Sequence, residues 1–163
     1  MRFEYLVDNK ELIPIVANWL YTEFVENIRH GISLHDVIQK LESGKKDVLP
    51  ITIIATEGTN CIGTVSLFEN DLKSLSLKPW LAALVVDKQY RGAGIGKRLI
   101  TEISNISRTI GFETLYLRTE HASDYYKKLG WALIDKRTDE FGIETEVFSK
   151  ELNSININTP DFP

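Results

Sequence analysis

Residues 81–100 read LAALVVDKQYRGAGIGKRLI, and the other parts of the sequence are best interpreted around this stretch. Its first six residues, 81–86, are all apolar and rich in strand-forming side chains, which predicts a strand buried on both faces. Residues 87–92 are polar and typical of a turn. From Gly94 onward apolar residues recur at helical spacing, which predicts a helix with an inward face of Ile95, Leu99, Ile103 and Ile106.

The turn between this strand and this helix has almost no side chains. Four small residues lie in or beside it: Gly92, Ala93, Gly94 and Gly96. A turn of this composition allows a ligand to lie directly against the backbone. The helix that follows points its free N–H groups and the positive end of its dipole at the turn. We therefore predict an anion site, most naturally for phosphate, beside the positive charges of Arg91 and Lys97.

Two familiar phosphate-binding motifs do not fit this turn. A Walker loop needs a glycine five residues before its Gly-Lys pair and a Ser or Thr after it, whereas Arg91 and Arg98 occupy those positions. A dinucleotide-binding fingerprint needs the spacing G-x-G-x-x-G, whereas Gly92, Gly94 and Gly96 are spaced G-x-G-x-G. Both nucleotide-binding interpretations are therefore disfavoured.

The spacing that does fit is R-x-x-G-x-G, formed by Arg91, Gly94 and Gly96. This segment resembles motif A of the GNAT family of N-acetyltransferases, in which the loop and the helix N-terminus hold the pyrophosphate of acetyl-CoA. Residues 124–131, DYYKKLGW, resemble the FYxKLGF segment of motif B in the same family. The two matches occur in the family's order and together cover residues 80–131.

The resemblance implies acetyl-CoA as the cosubstrate. In the family, the strand before motif A parts from the next strand, and the pantetheine arm enters the gap and hydrogen-bonds the free strand edge. By that pattern, backbone groups of Leu84, Val85 and Val86 would meet the pantetheine. The loop and the first helical turn would meet the pyrophosphate, which assigns cofactor binding to Arg91, Gly92, Ala93, Gly94, Ile95, Gly96 and Lys97.

The resemblance also implies direct transfer of the acetyl group to a primary amine. The amine attacks the thioester carbonyl, a backbone N–H holds the oxyanion, and the sulfur leaves. Tyr126 matches the motif B tyrosine that protonates the sulfur in many members, so it is the expected general acid. Tyr125, which stands where the motif has Phe, is expected to pack.

The general base is less evident, because residues 81–86 contain no Glu or His. Glu120 and His121, directly after the next strand, are the candidates placed to reach the cleft. Glu69 and Asp71 are alternatives from the preceding loop.

The acceptor site is expected between the two N-terminal helices, the 69–80 connection and the 135–142 loop. Aromatic and carboxylate side chains suit a cationic amine, which nominates Trp19, Glu23, Asp71 and Trp80. The pattern from Asp71 to Ala83 resembles both a bacterial subgroup of aminoglycoside acetyltransferases and the enzyme that acetylates processed actin N-termini. The acceptor therefore stays open between a small molecule, such as an aminoglycoside or polyamine, and a peptide N-terminus.

The composition is that of one ordinary globular domain. The chain has 163 residues, 43% of them hydrophobic and 26% charged. A net charge of −4 disfavours a nucleic-acid or anionic-membrane surface, and no apolar stretch reaches membrane-spanning length. A single cysteine, Cys61, and a start that does not resemble a signal peptide favour a cytoplasmic protein. We expect no metal, no nucleic-acid or membrane partner, and a monomer or homodimer.

Periodicity along the chain predicts the order β-α-α-β-β-β-α-β-α-β-β. This is an α/β (α+β) fold with a mixed, mostly antiparallel central sheet and helices on both faces, as the resemblance also implies. Residues 1–152 are predicted to form a single domain and residues 153–163 a polar tail.

Two finer expectations concern the helix starts. The first helix is expected to begin at a cap formed by Asp8 or Asn9 and to run to about Glu26, and the fourth helix to be capped by Ser123.

A second hypothesis for the whole chain is a non-catalytic acyl-CoA-binding or sensor module, which would keep the pocket without turnover.

Overall fold

A computed structural model describes residues 1–152, so the expected tail at 153–163 lies outside the described residues. The strands are β1 (Arg2–Tyr5), β2 (Ile51–Glu57), β3 (Asn60–Phe68), β4 (Trp80–Val86), β5 (Thr114–Thr119), β6 (Ala132–Thr138) and β7 (Glu144–Glu151). The α-helices are α1 (Ile13–Leu20), α2 (Leu34–Glu42), α3 (Ile95–Thr109) and α4 (Ser123–Lys128). The predicted order of elements is confirmed.

The strands form one seven-stranded sheet in the order β1-β2-β3-β4-β5-β7-β6. Neighbouring strands run antiparallel throughout, except that β4 and β5 are parallel. The predicted mixed, mostly antiparallel sheet is therefore confirmed. The parallel pair lies at the centre of the sheet, and the helix α3 connects its two strands.

Alternating residues of the central strands supply a separate core on each face of the sheet. Ile53 of β2 packs in the larger core, with Leu99 and Ile103 of α3. Its neighbour Ile54 packs in the other core, with residues of α1 and α2. On the α3 face the approach to β3 is close, because a Cβ on Gly63 would lie 2.9 Å from the Leu99 side chain.

The first helical segment is less regular than the periodicity predicts. Short 3-10 turns at Leu6–Asp8 and Lys10–Leu12 precede α1, and a π-helical turn at Tyr21–Val25 follows it. The cap expected at Asp8 or Asn9 is wrong, because α1 begins after Leu12 without a side-chain cap. The Asp8 carboxylate instead pairs with Lys46 at 2.6 Å, and the Asn9 amide donates to the Tyr5 carbonyl at 3.0 Å.

The fourth helix also begins differently. Ser123 is its first helical residue, so it does not occupy the cap position, which belongs to Ala122. The N–H of Ala122 donates to the Thr119 hydroxyl at 3.0 Å. The loop expected at 135–142 is shorter than predicted, since β6 continues to Thr138. The remaining turn is organised by the Asp139 carboxylate.

In the described range, no helix combines the length and apolar character needed to cross a bilayer.

Candidate active site

The parallel strands β4 and β5 separate soon after they meet. Their only residue pair in the described sheet is Trp80 with Tyr116. Beyond it, residues 117–119 of β5 pair with β7 on the other side. The facing edges of the two strands therefore have no common ladder, and a gap opens between them.

A bulge in β4 accompanies this separation. Thr64 pairs with Val85 and Ser66 with Ala82, so two β4 residues lie opposite Val65. One of these two, Ala83, has a φ of 56°, which is uncommon for a residue with a side chain. A bulge bends its strand and interrupts its ladder, which is often seen beside functional sites.

A cavity of about 910 Å³ occupies the gap and continues under the N-terminal helices. One wall is formed by residues 81–84 of β4 and another by residues 117–122, which end β5 and lead into α4. Side chains of α2, the segment 23–32 and the 140–143 turn also line the cavity. This volume suits a small-molecule ligand.

At the end of β4 the chain makes a compact turn into α3. The Asp87 carboxylate accepts the N–H of Gln89 at 2.9 Å, and Arg91 Nε donates to the Val86 carbonyl at 2.9 Å. Gly92 and Gly94 have φ values of 82° and 80°, which strongly favour glycine. The bond from Arg91 to Val86 ties this loop to the end of β4.

Three backbone N–H groups at this helix start are free of intrahelical bonds. The first intrahelical bond is from the Arg98 N–H to the Gly94 carbonyl at 3.1 Å. The N–H groups of Ile95, Gly96 and Lys97 therefore have no partner within the helix. A Cβ on Gly94 would meet nothing within 4 Å. The loop thus offers open space beside unpaired donors, an arrangement suited to a phosphate.

The assigned cofactor residues divide by where their side chains lie. Val85 and Ile95 are buried in the two cores, so these residues have only their backbones to offer a ligand. Leu84 lies on the cavity wall. Ala93 and Lys97 are exposed at the loop.

Tyr126 lies in α4 and lines the cavity. Its ring packs edge-on against Tyr125 and Trp131, with centroids 5.2 and 6.0 Å away, and tilted against Phe148 at 6.4 Å. Burial, assisted by the nearby Tyr125, raises the pKa of Tyr126 to about 12. The phenol therefore stays protonated at neutral pH.

Asp71 lines the same cavity from the connection between β3 and β4. Burial, with a smaller contribution from the negative charge of Glu120, raises the pKa of its carboxyl from 3.8 to about 6, against the opposing positive charges of Arg118, Lys40 and Arg29. Among the described residues, no basic side chain approaches the Asp71 carboxylate within 4 Å. Its oxygens therefore remain available to a ligand.

Glu120 lines the cavity but is already engaged by its neighbours. Its carboxylate lies 3.7 Å from both Arg29 and Arg118 and accepts the Thr145 hydroxyl at 3.1 Å. His121 is exposed at the edge of the cavity. The two base candidates after β5 are thus near the gap, one of them in an ion-pair network and the other at the surface.

The acceptor-site candidates separate into two groups. Glu23 and Asp71 line the cavity, whereas Trp19 and Trp80 do not. Trp80 is fully buried, and its indole donates to the Leu77 carbonyl at 2.6 Å. Trp19 packs against the core formed by α1 and α2. Trp80 is therefore a core residue, and Trp19 is half-buried against the core, so neither lies on the cavity wall where the acceptor site was expected.

Two basic side chains on the cavity wall were missed by sequence reasoning. Lys40 of α2 places its ammonium 3.6 Å from the centroid of the Phe68 ring, and burial lowers its pKa despite the nearby Asp71. Arg118 of β5 has a side chain only 5% exposed, which contacts Asp139 at 2.7 Å. Its Nε is buried without a partner among the described residues.

A signal for one of these two residues was present in the sequence. Arg118 is the only charged residue in the alternating strand β5, and a charge in a central strand needs a buried partner. That partner is Asp139, whose pKa is kept low, against the effect of burial, by hydrogen bonds from Arg118, Ile143 and Phe141. Lys40 has no such signal, since it lies on a partly exposed helix.

Within residues 1–152, no group of three or more His, Cys, Asp or Glu side chains is arranged to hold a metal ion.

The sequence profile of the acetyltransferase (GNAT) domain matches residues 50–133. This range includes the gap between β4 and β5, the glycine loop and Tyr126, and it covers just over half of the chain. The protein belongs to the GNAT acetyltransferase family.

Solved structures of similar fold include two aminoglycoside acetyltransferases. An aminoglycoside 6′-N-acetyltransferase complexed with coenzyme A is 18% identical, with a TM-score of 0.72 over 99% of this chain and 100% of that chain. The aminoglycoside 6′-N-acetyltransferase from Enterococcus faecium is also 18% identical, with a TM-score of 0.71 over the same shares. At such identities the likeness establishes the fold.

A curated relative is similar over a shorter stretch. The glucosamine 6-phosphate N-acetyltransferase of Trypanosoma brucei brucei is 43% identical over 49 residues, which is 29% of this chain. The match spans about a third of that relative, 33% of its length.

Proposed function

We propose that this protein is an acetyl-CoA-dependent N-acetyltransferase that transfers the acetyl group directly to a primary amine. The observation that carries the proposal is the gap between β4 and β5, which has the glycine loop at one end and Tyr126 and Asp71 on its walls. A donor thioester in this gap and an amine in the cavity would meet beside both side chains.

The loop residues fit the diphosphate of coenzyme A. The free N–H groups of Ile95, Gly96 and Lys97 would bind its oxygens, and the charge of Lys97 lies next to them. Leu84 and Val86 would bind the pantetheine through the unpaired backbone edge of β4, whereas Val85 pairs with Thr64 and its carbonyl points towards β3. Arg91 acts indirectly, because its Nε is bound to the Val86 carbonyl and ties the loop to β4.

In the proposed reaction a neutral amine attacks the thioester carbonyl. A backbone N–H of β4 in the bulged region stabilises the oxyanion, and the C–S bond then breaks. Tyr126 protonates the departing sulfur. Its phenol has a high pKa, so this transfer requires a thiolate whose own pKa is also raised by burial in the gap.

Asp71 is the best-placed acceptor for the proton that the amine must lose. Its carboxylate faces the cavity without a direct ion pair, whereas Glu120 is held by two arginines and Thr145. A pKa of about 6 is closer to neutrality than that of an ordinary Asp, which favours general base catalysis. The positive charges of Lys40 and Arg118 would also lower the pKa of a bound ammonium, so that it gives up its proton more readily.

Amino sugars are the first acceptors to test. The structural neighbours have names that refer to aminoglycosides, and the curated relative is named for glucosamine 6-phosphate; both kinds of molecule contain amines on sugar rings. The cavity wall includes the carboxylates of Glu23, Asp71 and Glu140, which suit a cationic and hydroxylated acceptor. Polyamines and peptide N-termini form the second set.

The proposal is tested by thiol release from acetyl-CoA with a panel of primary amines. We expect release with at least one amine, formation of the acetylated product, and a large loss of rate in Tyr126→Phe. Tyr116→Phe is the control, since Tyr116 packs against Trp80 outside the cavity. Binding of coenzyme A without turnover on any amine would instead favour the acyl-CoA-binding module.

A further inference from the structure

Tyr125 is more exposed than a packing residue at this position should be. The sequence predicts that it only packs, because the corresponding residue of the family motif is Phe. In the structure it is 41% exposed, while Tyr126 beside it is 8% exposed. Its ring rests edge-on against the Tyr126 ring, with 5.2 Å between centroids. The ring is thus fixed at one side, and its hydroxyl is free to face a ligand.

The hydroxyl lies over the first turn of α3. A Cβ built on Gly96 would be 3.8 Å from the Tyr125 oxygen and 3.7 Å from a methyl group of Val86. Gly96 is the second helical residue and the middle one of the three with free N–H groups. The Tyr125 hydroxyl and these N–H groups therefore border the same small space, which the missing side chain at Gly96 keeps open.

The chemistry of the hydroxyl suits this place. In the described part of the chain, the Tyr125 oxygen has no hydrogen-bond partner. Burial raises the pKa of its phenol, so the O–H remains a donor over the whole neutral range. Phosphate oxygens accept such bonds strongly, because a charged acceptor makes them shorter and stronger than neutral ones.

We propose that Tyr125 is a cofactor-binding residue that donates a hydrogen bond to the diphosphate of coenzyme A, opposite the N–H groups of α3. This inference rests on the proposed function, since it needs coenzyme A in the gap between β4 and β5. It adds a side-chain donor from α4 to a diphosphate site otherwise formed by the backbone. It also gives a reason for Tyr in place of Phe: the extra oxygen reaches a ligand instead of the core.

The test compares Tyr125→Phe with the wild-type chain by isothermal titration calorimetry. The probes are coenzyme A, which has the diphosphate, and pantetheine, which has none. We expect the Kd for coenzyme A to rise by about 10-fold, the lower end of what a hydrogen bond to a charged acceptor supplies. The Kd for pantetheine should be the same in both proteins, and so should the melting temperature without ligand, because the ring is kept.

Tyr116→Phe is the matched control, because it removes one phenolic oxygen from a residue that does not line the cavity. It should leave the Kd for coenzyme A unchanged. If Tyr125→Phe binds coenzyme A within twofold of wild type, the inference is wrong while the proposed function stands. An equal loss of affinity for pantetheine would also overturn it, since that would show a packing effect. If wild type binds no coenzyme A at all, the proposed function itself fails.

Discussion

Replacing Asp71 with Asn is expected to stabilise the protein at neutral pH while it slows acetyl transfer. Burial raises the pKa of the Asp71 carboxyl from 3.8 to about 6, in spite of three nearby cations. Ionising this group therefore costs more in the folded chain than in the unfolded one. An Asn side chain resembles the protonated carboxyl, so the variant removes this cost. The difference in pKa corresponds to about 3 kcal/mol as an upper value.

The sign of the effect fixes its pH dependence. Well below pH 4 the carboxyl is protonated in both the folded and the unfolded wild-type chain, and the penalty is absent. It develops as the pH rises from about 4 to about 6, because there the unfolded chain ionises while the folded chain resists ionisation. Well above pH 6 the penalty is complete. The stability gained by Asp71→Asn should therefore appear over this window and persist at higher pH.

Urea unfolding at pH 4 and pH 7.5 measures the free energy of unfolding for both proteins. We expect similar values at pH 4 and a more stable variant at pH 7.5. Glu69→Gln is the control, because its side chain is 73% exposed in a loose ion pair with Lys78 at 3.8 Å. It should change the stability by less than about 0.5 kcal/mol at either pH. The reasoning would be refuted if Asp71→Asn were less stable than wild type at pH 7.5. It would also be refuted if the free energy of unfolding differed between the two proteins by the same amount at both pH values.

The same variant tests the proposed base. If Asp71 accepts the amine proton, kcat/KM should fall by about 100-fold or more. The fall of the wild-type rate below an apparent pKa near 6 should disappear with the carboxyl. The affinity for coenzyme A should not change, since Asp71 is assigned to the acceptor side. If Asp71→Asn keeps the pH profile of the wild type, the general base must be another group.

The remaining predictions concern the acid and the glycine loop. Tyr126→Phe should lower kcat by about 100-fold without changing the Kd for coenzyme A, measured by thiol release and calorimetry. Gly94→Val should abolish coenzyme A binding, because the new side chain fills the open space beside the loop. The control is Gly58→Val in the β2–β3 turn, where φ is 61° compared with 80° at Gly94. This control should cause similar backbone strain but leave coenzyme A binding unchanged. Gly96→Ala should raise stability by up to about 1 kcal/mol in urea unfolding, because alanine favours helices, and should weaken coenzyme A binding. Unchanged affinity in Gly94→Val or Gly96→Ala would contradict the assignment of the loop.

The parts of the fold that depend on local patterns could be predicted from the sequence. The β4–loop–α3 unit shows an apolar run, then small residues, then helical spacing, all within one stretch, and α3 begins after Gly94 as expected. The irregular first helix could not be predicted in this way. Its apolar spacing is compatible with α- and π-helical turns alike, so the spacing does not indicate the π-turn at Tyr21–Val25.

The acceptor side of the cavity was predicted less well, because it is assembled from distant segments. Trp80 was placed there for its aromatic character, but its strand position and a bond to the Leu77 carbonyl bury it. Lys40 and Arg118 reach the cavity only because α2 and β5 converge on Asp71 in three dimensions. No local pattern encodes that convergence.

A crystal structure with coenzyme A tests the central claim most directly. We predict the pantetheine between β4 and β5 and the diphosphate within hydrogen-bond distance of the backbone N–H groups of Ile95 and Gly96. Coenzyme A bound at another surface, with the gap between the strands closed or empty, would contradict the account.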